Sequence, residues 1–498
     1  MPSARAGPAP GPCRRRAARD EARVTAGAGA APAGRRLTDS ARRLHALAWP
    51  VFVGQLAVVG FSTVDTLLVA RFAREDLAAL SVGAAAYITI FVGLMGVVLA
   101  IGPIVGQLFG AGQHAQAGRQ LHQAIWVALA LAVPGCALLV DPWPFLALAQ
   151  ATPEVEARAR AYLLALAVAL PAALLFQAYR GFNNAVSRPK AVMAVQLGAL
   201  AAKVPLSAAL VYGMPGVGLP ALGLLGCGIA TAVVMWLQAL LAWQVLRRDR
   251  FYTRFEIGGR GLDAPDRRAL ATQLRLGLPI GATILIEVSG FSLMAVFIAR
   301  LGVLPVAGHQ IAANLAAILF MLPLSLAQAS MTLVSQRIGA RDLADARRLG
   351  WHGVLIGAGV AVVVALALAA ARGPVARLYT ADPAVLAVAV PLLGWLALFH
   401  VADAVQAVAS FVLRAWRVTL LPMWIYAASL WGLGLGGGYV LAFGLVDAVP
   451  TAWRGPAGYW IAANVALATA ALALSLLLAT VLRRQRAQAR AVSPAARA

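Results

Sequence analysis

Residues 106–111 read GQLFGA, and residues 335–340 read SQRIGA, 229 positions further along the chain. Three of the six positions are identical, and both copies follow the same number of long apolar stretches within their halves. The same offset aligns Pro50 with Pro279 and Arg119 with Arg348. Shared apolar composition would not keep one offset over about 70 residues, so the second half of the chain is predicted to repeat the structure of the first.

The composition outside these motifs is that of a membrane protein. Of 498 residues, 61% are hydrophobic and 12% are charged, whereas soluble domains are ~45–50% apolar and ~25% charged. Apolar stretches near the ~20 residues that a bilayer requires are separated by short polar segments. No stretch alternates like a strand, and a helix satisfies its own backbone groups in lipid. These features predict an all-α polytopic membrane protein with about twelve transmembrane helices, at 45–70, 77–105, 121–142, 160–179, 191–212, 221–246, 275–299, 304–334, 350–371, 384–413, 419–445 and 457–482.

The repeat and the spans together define two six-helix lobes. Six spans are an even number, so both lobes cross the membrane in the same direction as a parallel internal repeat. We expect the substrate cavity to lie between the lobes and to open alternately to each side. The predicted organisation is a disordered basic tail at 1–43, a lobe at 44–246, a cytoplasmic linker at 247–274, a lobe at 275–482 and a basic cytoplasmic tail at 483–498.

The distribution of charge predicts the orientation. Lys and Arg number 42 against 19 Asp and Glu, which gives a net charge of +23. Most of the basic residues fall in the two tails, the linker and the loops of one side, and basic loops stay in the cytoplasm. We therefore expect a multi-pass membrane protein with both termini cytoplasmic. This bias explains the charge without a nucleic-acid partner.

Motifs for catalysis and cofactor binding are missing from the sequence. The three cysteines lie far apart, no CxxC pair is present and the six histidines are scattered. HExxH, the Walker A loop and a GxGxxG after a strand are also absent. We predict that the protein is not an enzyme and uses no cofactor, no resident metal and no ATP-driven engine.

Four charged residues, Asp65, Lys203, Glu287 and Asp403, lie well inside predicted spans. A charge at the bilayer centre costs at least ~2.5–3.5 kcal/mol, so such residues usually serve a function. A carboxylate exchanges a proton or Na⁺ for an organic cation because all three need the same negative charge. The three carboxylates are therefore candidates for cation coupling, with Na⁺ a candidate ligand at Glu287 and Asp403. A neutralised, hydrogen-bonded packing role is the alternative.

Polar and aromatic residues on or beside the spans are candidates for the substrate cavity, because aromatic faces stack on flat cations and polar groups line wet cavities. Packing inside a lobe is the alternative for each of them, and for His309 core or cavity-lining packing is favoured over ligation. Pro50 and Pro279 are candidate helix hinges. The cavity candidates are Gln55, Phe61, Phe176, Gln177, Asn183, Phe291, His309, Gln310, Asn314, Phe399 and Gln406.

Over about residues 45–482 the chain resembles the multidrug and toxic compound extrusion (MATE) family, in its NorM-type bacterial branch. The resemblance is carried, in this order, by Pro50 through residues 64–66, 103–108 with 110–112, 226–231, 287–288, 307–310 and 403–406. It implies a secondary active multidrug exporter of the bacterial inner membrane that exchanges H⁺ or Na⁺ for organic, often cationic, compounds by alternating access. The family's cation-binding carboxylates map onto Glu287 and Asp403 in the second half and onto Asp65 in the first. We expect small organic molecules and membrane lipids as partners, and a monomer.

Three other functions fit the sequence less well than multidrug export. A lipid-linked oligosaccharide flippase of the wider superfamily shares the two-lobe plan, but three carboxylates against one lysine suit an anionic pyrophosphate poorly. An intramembrane aspartyl protease would use Asp65 and Asp403, but neither residue follows a Gly-x-Gly motif. An ion channel is disfavoured because the sequence contains no short filter-like loop.

Two positions depart from the family pattern. A tyrosine is common one helical turn before the aspartate of the tenth span, where this chain has Phe399, and the lost hydroxyl predicts weak Na⁺ binding and use of H⁺. An asparagine is usual on the fifth span where this chain has Lys203. A lone buried lysine needs a counter-ion, so Lys203 is predicted to pair with Asp65 and to silence or retune that site. The alternative is that Lys203 extends to an interface or a separate water pocket.

Overall fold

The computed structural model of the chain describes residues 37–492 apart from 150, 151, 215, 217, 219, 258–260 and 447–449. Within these residues, twelve helices are long and apolar enough to cross a membrane, which confirms the predicted fold class. They are α1 (Leu37–Ala70), α2 (Arg74–Gly110, with a break after Val98), α3 (His114–Val140), α4 (Pro153–Ala185), α5 (Pro189–Tyr212), α6 (Gly223–Arg248), α7 (Arg267–Ala299), α8 (Val303–Gly339), α9 (Leu343–Tyr379), α10 (Pro383–Ala415), α11 (Leu420–Phe443, π-helical over Ala427–Gly436) and α12 (Pro456–Val492).

Local sequence signals place several of the helix starts. Proline occupies the first turn of α4, α5 and α10, where its missing N–H costs nothing and its φ angle suits a helix. Aspartate side chains cap three helices of the second half. Asp266 accepts a hydrogen bond from the Arg268 N–H at 2.9 Å, and Asp382 accepts one from the Ala384 N–H at 2.8 Å. Asp342 does the same for α9 at the Asp345 N–H, 3.0 Å away.

The two lobes, α1–α6 and α7–α12, exchange contacts through their first helices. α7 packs on α2 of the N-terminal lobe, and α1 packs on α8 of the C-terminal lobe. The apolar side chains of Leu44 and Ala48 on α1 accordingly belong to a hydrophobic core of the C-terminal lobe. This arrangement is the same in both directions, as the repeat requires.

The copies of the repeated motif meet where α2 and α8 cross. A Cβ atom on Gly110 would lie 1.9 Å from the carbonyl oxygen of Gln336, and a Cβ atom on Gly339 would lie 1.8 Å from that of Gln107. Only glycine leaves room for backbones at this separation. The identity of these two positions in the repeat therefore has a steric cause.

The glutamines of the motif bind the opposite lobe. The Gln107 side-chain amide donates a hydrogen bond to the backbone carbonyl of Ala415 at 2.8 Å, and the Gln336 amide donates one to the carbonyl of Ala185 at 2.7 Å. Ala185 and Ala415 are the last residues of α4 and α10. The last carbonyls of a helix have no partner within that helix. Each glutamine thus supplies a hydrogen bond to such a carbonyl at a helix end of the other lobe.

Backbone conformation follows the repeat as well. Gly112 and Arg341, 229 positions apart, both have positive φ angles, of 75° and 59°. Ser187 and Arg417 also have positive φ angles, of 61° and 60°, in the turns after α4 and α10. The internal repeat predicted from the motif is therefore present in the turns that connect the helices.

Both chain ends are more helical than the predicted boundaries. Residues 1–36 and 493–498 lie outside the described residues, but α1 already begins at Leu37 and α12 continues to Val492. The predicted disorder of 37–43 is wrong because contacts to α9 order this turn. Ser40 Oγ lies 2.8 Å from His352 Nδ1, and Arg43 pairs with Asp345 at 3.2 Å.

The linker is docked on the N-terminal lobe. Phe251 lies between two guanidinium groups, 4.3 Å from that of Arg188 and 4.0 Å from that of Arg254. Arg188 also forms an ion pair with Asp249. Partial burial raises the pKa of the Asp249 carboxyl, but the Phe251 N–H and the Arg188 guanidinium outweigh it, so this pKa lies below its usual range. We call the end of the bundle that carries residues 249–266 the linker end.

We expect Gly339→Ala to lower the melting temperature of the purified protein in detergent. The added methyl group would overlap a backbone carbonyl that cannot rotate away, which costs about 1–3 kcal/mol. Gly359→Ala on α9 is the control, because a Cβ atom there meets nothing within 4 Å, and alanine favours a helix over glycine by about 1 kcal/mol. A Gly339→Ala protein that melts at or above the wild-type temperature would contradict the close crossing.

Candidate functional site

A buried polar cluster lies inside the C-terminal lobe around Asp403 on α10. The Gln406 amide donates a hydrogen bond to Asp403 Oδ1 at 2.9 Å, and the Tyr426 hydroxyl on α11 donates one to Gln406 Oε1. All three residues are at most 5% exposed. The amide of Gln406 therefore connects a carboxylate and a phenol that come from different helices.

Glu287 on α7 and Arg414 on α10 complete the charges of this cluster. Glu287 is half-buried and interacts electrostatically with Asp403 and with Arg414. Arg414 is a buried residue near the end of α10. With both carboxylates ionised the cluster has one negative charge more than the guanidinium balances.

Phe399 lies one helical turn before Asp403 and takes part in an aromatic cluster. Its ring centroid is 5.6 Å from that of Phe291 and 5.6 Å from that of Trp460. The hydroxyl that Phe399 lacks is supplied to the polar cluster by Tyr426 instead. Sequence reasoning missed Tyr426 and Arg414, although a tyrosine hydroxyl and a guanidinium within or at the edge of an apolar span are signals that were available.

In the N-terminal lobe, the contact predicted between Lys203 and Asp65 is present. Lys203 Nζ lies 2.7 Å from Asp65 Oδ1, and the ammonium donates a hydrogen bond to the Thr231 hydroxyl at 2.7 Å. Lys203 is fully buried and Asp65 is 8% exposed. The Nζ also faces the Phe61 ring, 5.7 Å from its centroid. The predicted alternative, extension of Lys203 to an interface, is thereby excluded.

Part of the predicted cavity set lies where the lobes meet. Gln55 lines a small polar pocket together with Arg180, Asn184 and Gln196. The Asn184 amide donates a hydrogen bond across the interface to Gln328 on α8 at 3.1 Å. Arg180, Gln196 and Gln328 are buried polar residues that the sequence analysis did not select.

Other candidates are placed elsewhere. Phe176 packs against Tyr179 within the N-terminal lobe, so it does not line a cavity between the lobes. Asn183 is fully buried and accepts a hydrogen bond from Tyr252 of the linker at 2.5 Å, which is a structural contact. The remaining candidates are spread between exposed and buried positions. Gln310 and Asn314 are exposed, and Gln177 and His309 are buried.

The family model described as MatE matches residues 50–209 and 279–440. The two matched segments start at Pro50 and Pro279, which are 229 positions apart, as are the motifs and the turn residues Gly112 and Arg341. The chain belongs to the MATE family.

Two curated relatives of this MATE protein match almost its full length. The probable multidrug resistance protein NorM of Aromatoleum aromaticum is 42% identical over 446 residues, which cover 89% of this chain and 95% of that protein. The multidrug resistance protein PmpM of Pseudomonas aeruginosa is 35% identical, with 91% and 94% of the two chains covered. The crystal structure of the Vibrio cholerae MATE transporter VcmN in the bent form has the same fold, with a TM-score of 0.78, 18% identity and coverage of 90% and 98%.

The hinge candidates of this MATE protein lie in equivalent helices. Pro50 and Pro279 lie inside α1 and α7, both of which continue through the proline. A proline removes one hydrogen bond of the helix and permits a kink at that point. Their role as hinges stays a prediction. In the part of the chain that the structure describes, no group of three or more His, Cys, Asp or Glu is placed to hold a metal ion.

We expect Tyr426→Phe to destabilise the protein by about 1–3 kcal/mol, because it leaves the buried Gln406 oxygen without its donor. Thermal unfolding in detergent measures the loss. Tyr379→Phe is the matched control, since the Tyr379 hydroxyl binds Asn314 at an exposed position, 3.0 Å away. Equal melting temperatures for the two variants would argue against a structural role of the Tyr426 hydroxyl.

Proposed function

We propose that this MATE protein is a secondary active multidrug exporter that takes up protons through the C-terminal carboxylates and extrudes organic cations. The observation that carries the proposal is the buried cluster of Asp403, Gln406 and Tyr426 with Glu287 beside it. Relatives at 35–42% identity are named multidrug resistance proteins. We expect the same substrate class here, small organic molecules, with transport by a monomer.

Charge balance in the cluster supports an exchange mechanism. Arg414 compensates one of the two carboxylates, and the other negative charge has no fixed partner among the cluster residues. Burial makes an uncompensated charge costly, so this carboxylate favours taking up a cation. A proton that neutralises it removes the charge that attracts an organic cation, and the two ligands therefore exclude each other.

The same arrangement favours H⁺ over Na⁺. A sodium ion needs several oxygen ligands, but the side-chain amide of Gln406 already donates to Asp403 and so occupies one of its lone pairs. A proton needs one oxygen only.

Closure at the linker end supports alternating access. The glycine contacts and the two glutamine hydrogen bonds hold the lobes together there. Positive charge in the loops of this end favours the cytoplasmic side of the bacterial inner membrane. This conformation is then closed to the cytoplasm. Opening to the cytoplasm breaks the hydrogen bonds that Gln107 and Gln336 donate to the opposite lobe.

A lipid-linked oligosaccharide flippase is kept as the alternative. The buried Arg180 in the small pocket that α1, α4 and α5 form in the N-terminal lobe is the observation that favours it, because an arginine suits an anionic pyrophosphate. Flipping of a fluorescent polyprenyl-pyrophosphate lipid by the purified protein, without efflux of organic cations, would support this alternative.

We expect Glu287→Gln and Asp403→Asn each to reduce ethidium efflux from proteoliposomes with an imposed pH gradient to the background rate. Each change removes a carboxylate that exchanges the proton. Glu75→Gln, at an exposed position in the first turn of α2, should leave efflux unchanged. Full drug resistance in cells that express the double variant at the wild-type level would contradict this assignment.

We expect a pH gradient alone to drive ethidium efflux and a Na⁺ gradient alone, with the pH gradient collapsed by a protonophore, to drive none. The physical reason is that the Asp403 carboxylate, which already accepts a hydrogen bond from Gln406, can bind a proton with one oxygen but offers few ligands to Na⁺. Both gradients are imposed on the same preparation, so each serves as the control for the other. Efflux that follows the Na⁺ gradient would refute proton coupling.

A further inference from the structure

The ammonium of Lys203 is held in place by three helices at once. Lys203 comes from α5, the Asp65 carboxylate from α1 and the Thr231 hydroxyl from α6, and both oxygen atoms lie 2.7 Å from Nζ. The side chain is 0% exposed. An ammonium has three donors and no acceptor, so this site must supply electron-rich groups only.

The hydrogen-bond directions around Lys203 show that it does. The Thr231 hydroxyl donates its single hydrogen to the carbonyl of Cys227 at 2.9 Å. Its oxygen therefore presents a lone pair to Nζ, and Lys203 must be the donor in that contact. The face of the Phe61 ring, which carries negative potential, lies on the same nitrogen. Carboxylate, hydroxyl and ring together fit a protonated lysine.

We propose that Lys203 is the resident cation of the N-terminal lobe, and that its ammonium excludes any transported cation from Asp65. The proposal rests on the exchange function inferred for the C-terminal cluster and limits that exchange to one lobe. A free ion leaves its site during a transport cycle. The Nζ of Lys203 is part of a side chain on α5 and cannot leave. Asp65 is thus neutralised in every conformation that keeps these three helices together.

Binding of a second cation at Asp65 would strand a charge. A proton on Asp65 would leave the buried ammonium of Lys203 without a counter-ion, and an unpaired buried ion costs several kcal/mol. The other polar groups near Asp65 supply no replacement anion at neutral pH. They are the Tyr162 hydroxyl from α4, the Cys227 thiol from α6 and the Thr231 hydroxyl from α6.

The repeat shows that this neutralisation belongs to one lobe only. In the turns after α4 and α10 the offset is 230, and at this offset Lys203 on α5 corresponds to Leu433 on α11, which lies in the π-helical stretch and carries no charge. At the offset of 229, Asp65 itself corresponds to Met294 on α7. The carboxylates of the C-terminal lobe occupy other positions and have an amide and a phenol as hydrogen-bond partners. The two halves have therefore diverged into one lobe with a built-in cation and one with an exchangeable site.

Infrared difference spectra of the reconstituted full-length protein after a pH jump test the proposal, because protonated carboxyl groups give a separate C=O band. We expect Asp65→Asn to leave the carboxyl bands of the wild-type background unchanged. In Lys203→Met, Asp65 loses its partner, and we expect a new band that Asp65→Asn/Lys203→Met lacks. Loss of a carboxyl band on Asp65→Asn alone would overturn the proposal, because Asp65 would then titrate with Lys203 in place.

Variants that keep or remove both charges guard against misfolding. We expect Lys203→Arg to keep the wild-type bands. Each charge-removing single variant should melt below wild type, and Asp65→Asn/Lys203→Met should recover the melting temperature. Lys190→Met is the matched control, because Lys190 is the other lysine of the chain and is exposed, and it should melt like wild type. Additive losses in the double variant would overturn the proposal.

Transport by the double variant separates this proposal from the proposed function. We expect Asp65→Asn/Lys203→Met to export ethidium with the wild-type number of protons per ethidium, measured as a reversal potential in proteoliposomes. A lower number would overturn the resident-cation assignment, because Asp65 would then carry a transported proton. If the wild type exports no ethidium, the proposed function fails, while the infrared and melting experiments still decide the role of Lys203.

Discussion

The architecture depends on the close approach of two backbones where α2 and α8 cross. Gly110 and Gly339 each face the carbonyl oxygen of the glutamine in the other copy of the motif, at a distance that excludes any side chain. This crossing sets the separation of the lobes at the linker end, and it brings Gln107 and Gln336 within reach of the helix ends that they cap. A repeated sequence thereby becomes a nearly symmetric interface.

Inside the lobes, the high cost of charge in an apolar surrounding determines the polar structure. The N-terminal lobe meets this cost with a fixed partner, since Lys203 pairs with Asp65 and both have further polar or aromatic neighbours. In the cluster of the C-terminal lobe, Asp403 and Glu287 have Arg414 as the compensating charge among the described residues that interact with them. The repeat thus supports two different solutions on one scaffold. An exchange of cations needs the second kind of site, where a negative charge is left for a mobile partner.

The linker shows how an irregular segment becomes part of a lobe. Its aromatic residues are inserted beneath α3 and α4, with Phe251 between two arginines and Tyr252 bound to Asn183. These contacts attach residues 251 and 252 of the linker to the N-terminal lobe. Asn183 was predicted to line the substrate cavity because it is polar. Its buried amide instead binds Tyr252 of the linker.

The helix number, the parallel repeat and the family could be predicted from the amino-acid sequence, and so could the pairing of Lys203 with Asp65, for which extension of Lys203 to an interface was the alternative. Each of these follows from a local or a strong constraint, namely apolar length, a constant offset, motif order and the need of a buried charge for a counter-charge. The packed bundle was needed to show that Tyr426 reaches Gln406, that Arg414 interacts electrostatically with Glu287, that Phe176 packs within its lobe and that contacts to α9 order residues 37–43. These contacts join residues on different helices, and a helical periodicity does not specify which neighbour a side chain meets. Hydrogen bonds and packing across helices depend on the relative rotation and depth of each helix, which the whole bundle fixes together.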